Sequence, residues 1–330
     1  MSNPKLHHYV PQFYLRRFTE DGHFWVFDKK TLRTFQADVR DVAAETHFYR
    51  IPEVAGTDAD PLVFEKYFAE MEGAAATITN LWFKRLAKVA LGEKVLIGRD
   101  ERWWMSRYIA LQHLRTAEQR RIAAVIAMDS GKYPKGISKD ERANLHAQIL
   151  AGDGPELCEQ GVVRHVADQL YNSIWMFGRN ATTTPFFTSD NPVVIRASNR
   201  KMNASKFGIL GKGIHVTLPL SPLIALFCYE RSFWQALKRF SNHLSPVVFT
   251  EELMEGENSG QMFVTSRFVF SPKRHDDFAR RFMALHKQCG AGILVGRNWT
   301  NIKSEHYPNS ALFQSPPLQG RQVRRDGSIR

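Results

Sequence analysis

Two stretches of this chain carry the residue types that chemistry needs. The first, Leu6-His7-His8-Tyr9-Val10-Pro11-Gln12-Phe13-Tyr14-Leu15-Arg16-Arg17-Phe18, combines imidazole, guanidinium and aromatic groups within thirteen positions. The second, Ser189-Asp190-Asn191-Pro192, sets a carboxylate and an amide between two β-like runs. An Asp at a strand edge can hold a divalent cation or accept a proton. The same Asp-Asn-Pro spacing also suits a turn in which these side chains bond the local backbone. An imidazole such as His8 can move a proton near neutral pH, or simply fix the start of the helix after Pro11. His7 and His8 cannot chelate one ion together, because adjacent side chains of an extended chain point apart.

Arg16 and Arg17 lie beside Tyr14 and Phe18, and a guanidinium fork matches two phosphate oxygens. The bland alternative has Tyr14 and Phe18 in the core at i, i+4 with a solvated arginine. Gln112 and Arg115 share a helix face at i, i+3, where they could face a cleft. Arg115 could equally pair with Glu65 or Glu72 on the preceding helix. Glu65, between Phe64 and Phe68, sits in an apolar setting that raises a carboxyl pKa. A metal-dependent arrangement would use Asp190 with Glu65 or Asp28 as Mg²⁺ or Mn²⁺ ligands and His8 for proton transfer. Arg16, Gln112, Arg115 and Asn191 would then hold the substrate.

The elements that must position these groups follow from periodicity. Phe24–Phe27 and Thr31–Phe35 flank Asp28-Lys29-Lys30 and predict a hairpin. Asp60-Pro61 predicts a helix start, with apolar residues at helical spacing to about Gly92. A second helix is expected from about Asp100 to Met128, a third after Ser138, and another over 155–178. Strand-like runs return at Phe186–Thr188, Pro192–Arg196, His215–Leu218 and Leu223–Cys228, followed by helical patterns over 257–269 and 273–286. The expected fold is α+β: an N-terminal hairpin and a C-terminal mixed sheet packed against a central helical layer. A single domain over 1–314 is expected, with a basic tail from 315 too polar to bury a core.

Composition narrows the classes. There are 45 Lys+Arg against 33 Asp+Glu, a formal net charge of +12, which favours polyanionic partners through counterion release. Cys158, Cys228 and Cys289 are too scattered for a metal knuckle or a disulfide framework. With no apolar leader after Met1 and no apolar run of about 20 residues, a cytoplasmic protein without membrane contact is expected. Phosphate-loop, dinucleotide, zincin and hydrolase-elbow motifs are all missing, so no nucleotide or organic cofactor is expected. The sequence does not fix an oligomeric state.

The segments already quoted also carry a resemblance. His8–Phe18, Val26-Phe27-Asp28-Lys29 and Phe48-Tyr49 resemble the opening of the family catalogued as domain of unknown function 4238. Phe187–Val193, Leu218-Pro219-Leu220-Ser221-Pro222, Asn258 and Arg267–Ser271 are similar to its central and closing elements. The resemblance spans about residues 6–271 and implies a bacterial protein of this length. It supplies no reaction. Two functions are therefore set against each other: a metal-dependent nuclease or phosphodiesterase centred on Asp190, and a non-catalytic nucleic-acid-binding or protein-interaction module. In the second, the tail and the Asn199–Lys212 loop would contact phosphates.

Overall fold

A short strand opens the described residues and decides which of the paired histidines is buried. In a computed structural model describing residues 6–49, 63–131, 133, 136–151, 161–197 and 211–288, β1 (Leu6–His8) pairs antiparallel with β4 (Ala44–Thr46). Strand alternation sends His7 inward, where Nδ1 accepts the Tyr49 amide at 3.0 Å, and leaves His8 half-buried. After Pro11 comes one helical turn, α1 (Gln12–Leu15), and a 3₁₀ turn over Arg16–Phe18. Tyr14, Leu15 and Phe18 are buried while Arg16 is exposed. The Tyr14 hydroxyl lies 2.7 Å from both the Thr188 hydroxyl and the Pro219 carbonyl, tying the opening motif to distant strands.

The hairpin forms as β2 (His23–Asp28) and β3 (Arg33–Asp38). Asp28 shapes its turn by accepting the Lys30 and Thr31 amides at 2.9 and 3.4 Å. β2 also pairs antiparallel with β11 (Phe268–Ser271), which pairs with β6 (Thr188–Ser189), giving a four-stranded sheet in the order β3-β2-β11-β6. The N-terminal hairpin thus joins C-terminal strands, as the α+β pattern predicts.

The middle of the chain is helical: α2 (Val63–Leu86), α3 (Arg99–Leu114), α4 (Ala117–Asp129), α5 (Lys139–Ala151) and α6 (Gly161–Asn172). The single helix expected over 100–128 is two, because Thr116 leaves the helical conformation and its hydroxyl caps α4 by accepting the Gln119 amide. The helix expected over 155–178 also ends early. Ser173 turns its hydroxyl back to the Leu170 carbonyl, and Ile174–Arg179 becomes β5. A short, wholly buried apolar run reads alike as strand or helix, and here pairing with β9 (Ile224–Tyr229) decides.

A second sheet has the order β10-β5-β9-β8-β7, with β7 (Val194–Ala197), β8 (Ile214–Ser221) and β10 (His243–Leu244). Only the β10–β5 pairing in it is parallel. The helical layer meets this sheet where Trp82 of α2 packs edge-on against Trp175 and Phe177 of β5, at 5.9 and 5.4 Å between ring centres. On the sheet's other face Gly178 lies under two rings: an added Cβ would sit 2.6 Å from Phe249 and 2.7 Å from Phe227. Gly178→Ala should therefore overpack this face and lower stability by about 2 kcal/mol, read as a shifted urea midpoint; an unchanged midpoint would show that both rings move freely.

The helical pattern expected over 257–269 belongs to α7 (Glu251–Val264), and the chain is extended again by Phe268. α8 (Asp276–Gln288) closes the described residues, three residues later than its expected start. Among these residues no helix is long and apolar enough to cross a membrane. The Asp60-Pro61 helix start, all but the end of the Asn199–Lys212 loop, and the basic tail lie outside the described residues.

Candidate functional site

Asp190 follows β6 and is buried. Its Oδ1 accepts the Thr265 hydroxyl at 2.5 Å and the Ser266 amide at 3.0 Å, and its Oδ2 accepts the amides of Arg267 and Phe268 at 2.7 and 2.9 Å. The carboxylate therefore organises the turn between α7 and β11. Burial raises its pKa, and the four donors oppose that rise by favouring the charged form. A cation reaching these oxygens would have to displace donors that already occupy them. Local turn chemistry falls to the neighbouring side chains: the Asn191 amide donates to Ser189 Oγ at 3.2 Å, and Asn191 Nδ2 donates to the Val264 carbonyl at 3.1 Å.

Helix α7 locks the same strip. Gln261 accepts from the Ser189 hydroxyl and donates to the Pro192 carbonyl, both at 2.8 Å. Asn258 accepts the Phe187 amide at 2.8 Å and donates to the Pro185 carbonyl at 2.9 Å. Asp28, the other expected metal ligand, is ion-paired with Arg267 at 2.9 Å. Burial pushes its pKa up, but hydrogen bonds from Arg267 and the Lys30 amide outweigh this and hold it below the usual range. Arg267 thus gives its amide to Asp190 and its guanidinium to Asp28.

Lys29 was not singled out by sequence reasoning, yet its buried ammonium caps α7. It donates to the carbonyls of Met262, Phe263 and Thr265 at 3.0, 3.3 and 3.2 Å. Burial pulls its pKa down to about 8.

A second group gathers around Tyr9. Gln112 donates to the Tyr9 carbonyl at 3.0 Å and accepts from Arg115 Nε and Nη2 at 3.0 and 2.8 Å. Arg115 Nη1 meets Glu72 at 2.8 Å, so of the two acids expected for this arginine Glu72 takes it. Glu65 lies on α2, but its side chain is outside the described residues. Burial lowers the pKa of His8, and the nearby backbone of Arg40 and Val39 partly restores it. Its Nε2 stands 3.5 Å from Gln12 Nε2, and Gln12 Oε1 accepts from Arg16 at 2.8 Å.

Arg16, Thr19, Gly22, Asp38, Val39 and Arg40 line an open cleft of about 410 Å³. Arg40 also forks onto Asp38 at 3.1 and 3.2 Å. The cleft therefore offers guanidinium groups partly balanced by one carboxylate.

His8, Arg16, Gln112 and Arg115 thus share one neighbourhood, while Asp190, Asn191 and Asp28 share another around Arg267. Thr116 connects them, its hydroxyl 3.4 Å from Asn191 Oδ1. Among the described residues, no three His, Cys, Asp or Glu side chains form a group that could hold a metal ion. Cys228 is buried, its thiol pushed up to about 12, and Cys158 and Cys289 fall outside the described residues.

The fold and these two groups define an α+β protein whose opening motif is interlocked with its Ser-Asp-Asn-Pro turn and its closing strand. The chain belongs to the family described as "Protein of unknown function (DUF4238)", which matches residues 6–275. That stretch takes in both groups and ends just before α8. No curated protein and no solved structure matches the chain.

Proposed function

We propose that this protein binds nucleic acid without cleaving it, its motif residues serving mainly to build the fold. The observation that carries this reading is the filled coordination of Asp190 by four donors of one turn. A nuclease centred there would need that carboxylate free for Mg²⁺ or Mn²⁺. What stays open beside the opening motif is a cleft with Arg16 and Arg40 on its rim, in a chain of net charge +12. Such groups suit phosphate contact, whose free energy comes largely from counterion release.

The test is fluorescence anisotropy of labelled RNA and DNA oligonucleotides with the full chain. Binding should weaken steeply with salt and ignore EDTA. Arg16→Ala/Arg40→Ala should weaken it about fivefold, and less at high salt. EDTA-sensitive binding, or none, would count against this reading, whereas an unaffected double variant would move the phosphate contacts away from this cleft.

One observation keeps the nuclease reading in play. His8, Arg16, Gln112 and Arg115 are neighbours, and Glu72 is paired with Arg115 beside them. Mg²⁺- or Mn²⁺-dependent cleavage that His8→Ala or Glu72→Gln abolishes, with folding intact, would favour it.

A further inference from the structure

A basic and aromatic surface forms where three segments distant in sequence meet around β10. The Leu244 amide donates to the Glu93 carbonyl at 3.0 Å, and the Val95 amide donates to the Asn242 carbonyl at 2.6 Å. Arg102, in the first turns of α3, donates to the Tyr171 carbonyl at 2.7 Å and to Asn242 Oδ1 at 2.8 Å. Arg231 donates to the Asn172 carbonyl at 2.8 Å. These contacts fasten the 93–99 segment, the end of α6 and the 231–243 segment together.

Lys94, Arg99, Arg231 and Lys238 are thereby carried on adjoining backbone, all four exposed. None of them is ion-paired among the described residues. The nearby acids offset them only in part. Glu93, held by the Ala90 amide, Glu230, held by the amides of Ser232 and Phe233, and Asp100 in α3's first turn are three carboxylates against these four cations. One turn of α3 further on, Trp103 is 39% exposed, and the Arg107 guanidinium lies 3.5 Å from its ring centre. Phe240 and His243, with rings 6.0 Å apart, add aromatic surface beside Lys238.

We infer that this surface binds single-stranded nucleic acid, with Lys94, Arg99, Arg231 and Lys238 along the phosphates and Trp103 stacking on a base. The inference rests on the nucleic-acid reading above and gives it a surface and a substrate class. Dispersed cations attract any polyanion, but an exposed indole among them selects strands whose bases are unpaired, because a base inside a duplex has no free face. The charges come from a loop, a helix end and a 3₁₀ segment, an arrangement that follows a flexible backbone more readily than it enters a regular groove.

The experiment compares anisotropy of a labelled 20-nucleotide single strand, the matching duplex, and phosphatidylserine vesicles, using the full chain. Lys94→Ala/Arg99→Ala/Lys238→Ala should weaken single-strand binding at least tenfold and flatten the plot of log affinity against log salt by about 2. Trp103→Ala should cost about tenfold on the single strand, leave the duplex unchanged, and be largely restored by Trp103→Phe. Thermal melts of each variant check the fold. If only Arg16→Ala/Arg40→Ala weakens binding, this surface is wrong and the nucleic-acid reading stands. Binding of vesicles in place of oligonucleotides would overturn both, as would no binding of either.

Discussion

Asp190→Ala should lower the stability of this protein by about 5 kcal/mol, enough to remove much of the margin of an ordinary domain. The substitution deletes the acceptor for one hydroxyl and three backbone amides at once. The three amides are part-buried at the junction of α7 and β11 and would each cost about 1–3 kcal/mol unsatisfied, while the Thr265 hydroxyl keeps the Phe268 carbonyl at 2.9 Å. Asp190→Asn should be milder, at about 3 kcal/mol, since one oxygen remains while the amide nitrogen faces donors. Urea unfolding of both variants checks this. A wild-type midpoint for Asp190→Ala would mean that the turn over 265–268 needs no carboxylate, which would free Asp190 for chemistry.

Acid should begin to destabilise the protein at a pH well above that at which carboxylates titrate. Burial lowers the imidazole of His113 to about 4, and those of His146 and His215 to about 3. His146 is held between Arg120 and the Leu114 carbonyl, and His215 is stacked on Tyr229 and coupled to Arg196. All three folded values lie below the ordinary histidine value of about 6.5. As pH falls below 6.5 the unfolded chain takes up three protons that the folded chain refuses, so the folded state loses stability down to about pH 4. The slope approaches 4 kcal/mol per pH unit, at about 1.4 kcal/mol per proton, and stability should vanish between about pH 4 and 5.5. Urea titrations at stepped pH measure this directly. His215→Phe should remove about one proton from the slope by removing one titrating imidazole, and its Nδ1 has no hydrogen-bond partner to be orphaned. A pH-independent midpoint from 7 to 5 would contradict the burial of these rings.

Much of the architecture is legible in the sequence because it is written locally. The β2–β3 hairpin follows from alternation on both sides of Asp28-Lys29-Lys30, and α2 from apolar residues at helical spacing. The errors arise where a tertiary partner decides. Ile174–Arg179 is a strand because β9 pairs with it, and the break at Arg115-Thr116 separates two helices whose apolar periods run on without interruption.

The site is less legible. Asp190, Asp28, Asn191, His8, Arg16, Gln112 and Arg115 were all marked by residue type, and all make specific polar contacts. Their partners come from far along the chain: the turn at 265–268 for Asp190, and Glu72 for Arg115. Spacing alone cannot tell a carboxylate filled by amides from one that is free. Lys29 carried a weak signal, a lysine at a hairpin turn, but nothing local announces a buried cap for a helix more than 220 residues later. The surface around β10 has no contiguous signature, since the segments bearing Lys94, Trp103 and Lys238 are tied together by the Lys94–His243 bridge and by Arg102 on Asn242.

The most direct measurement is the salt dependence of affinity of the full chain for a single-stranded oligonucleotide in the presence of EDTA. The account predicts saturable binding without cleavage, and a plot of log affinity against log salt falling with a slope of about −3, as expected for four phosphate contacts on a single strand. A flat plot, or binding that vanishes when the divalent ions are chelated, would contradict it.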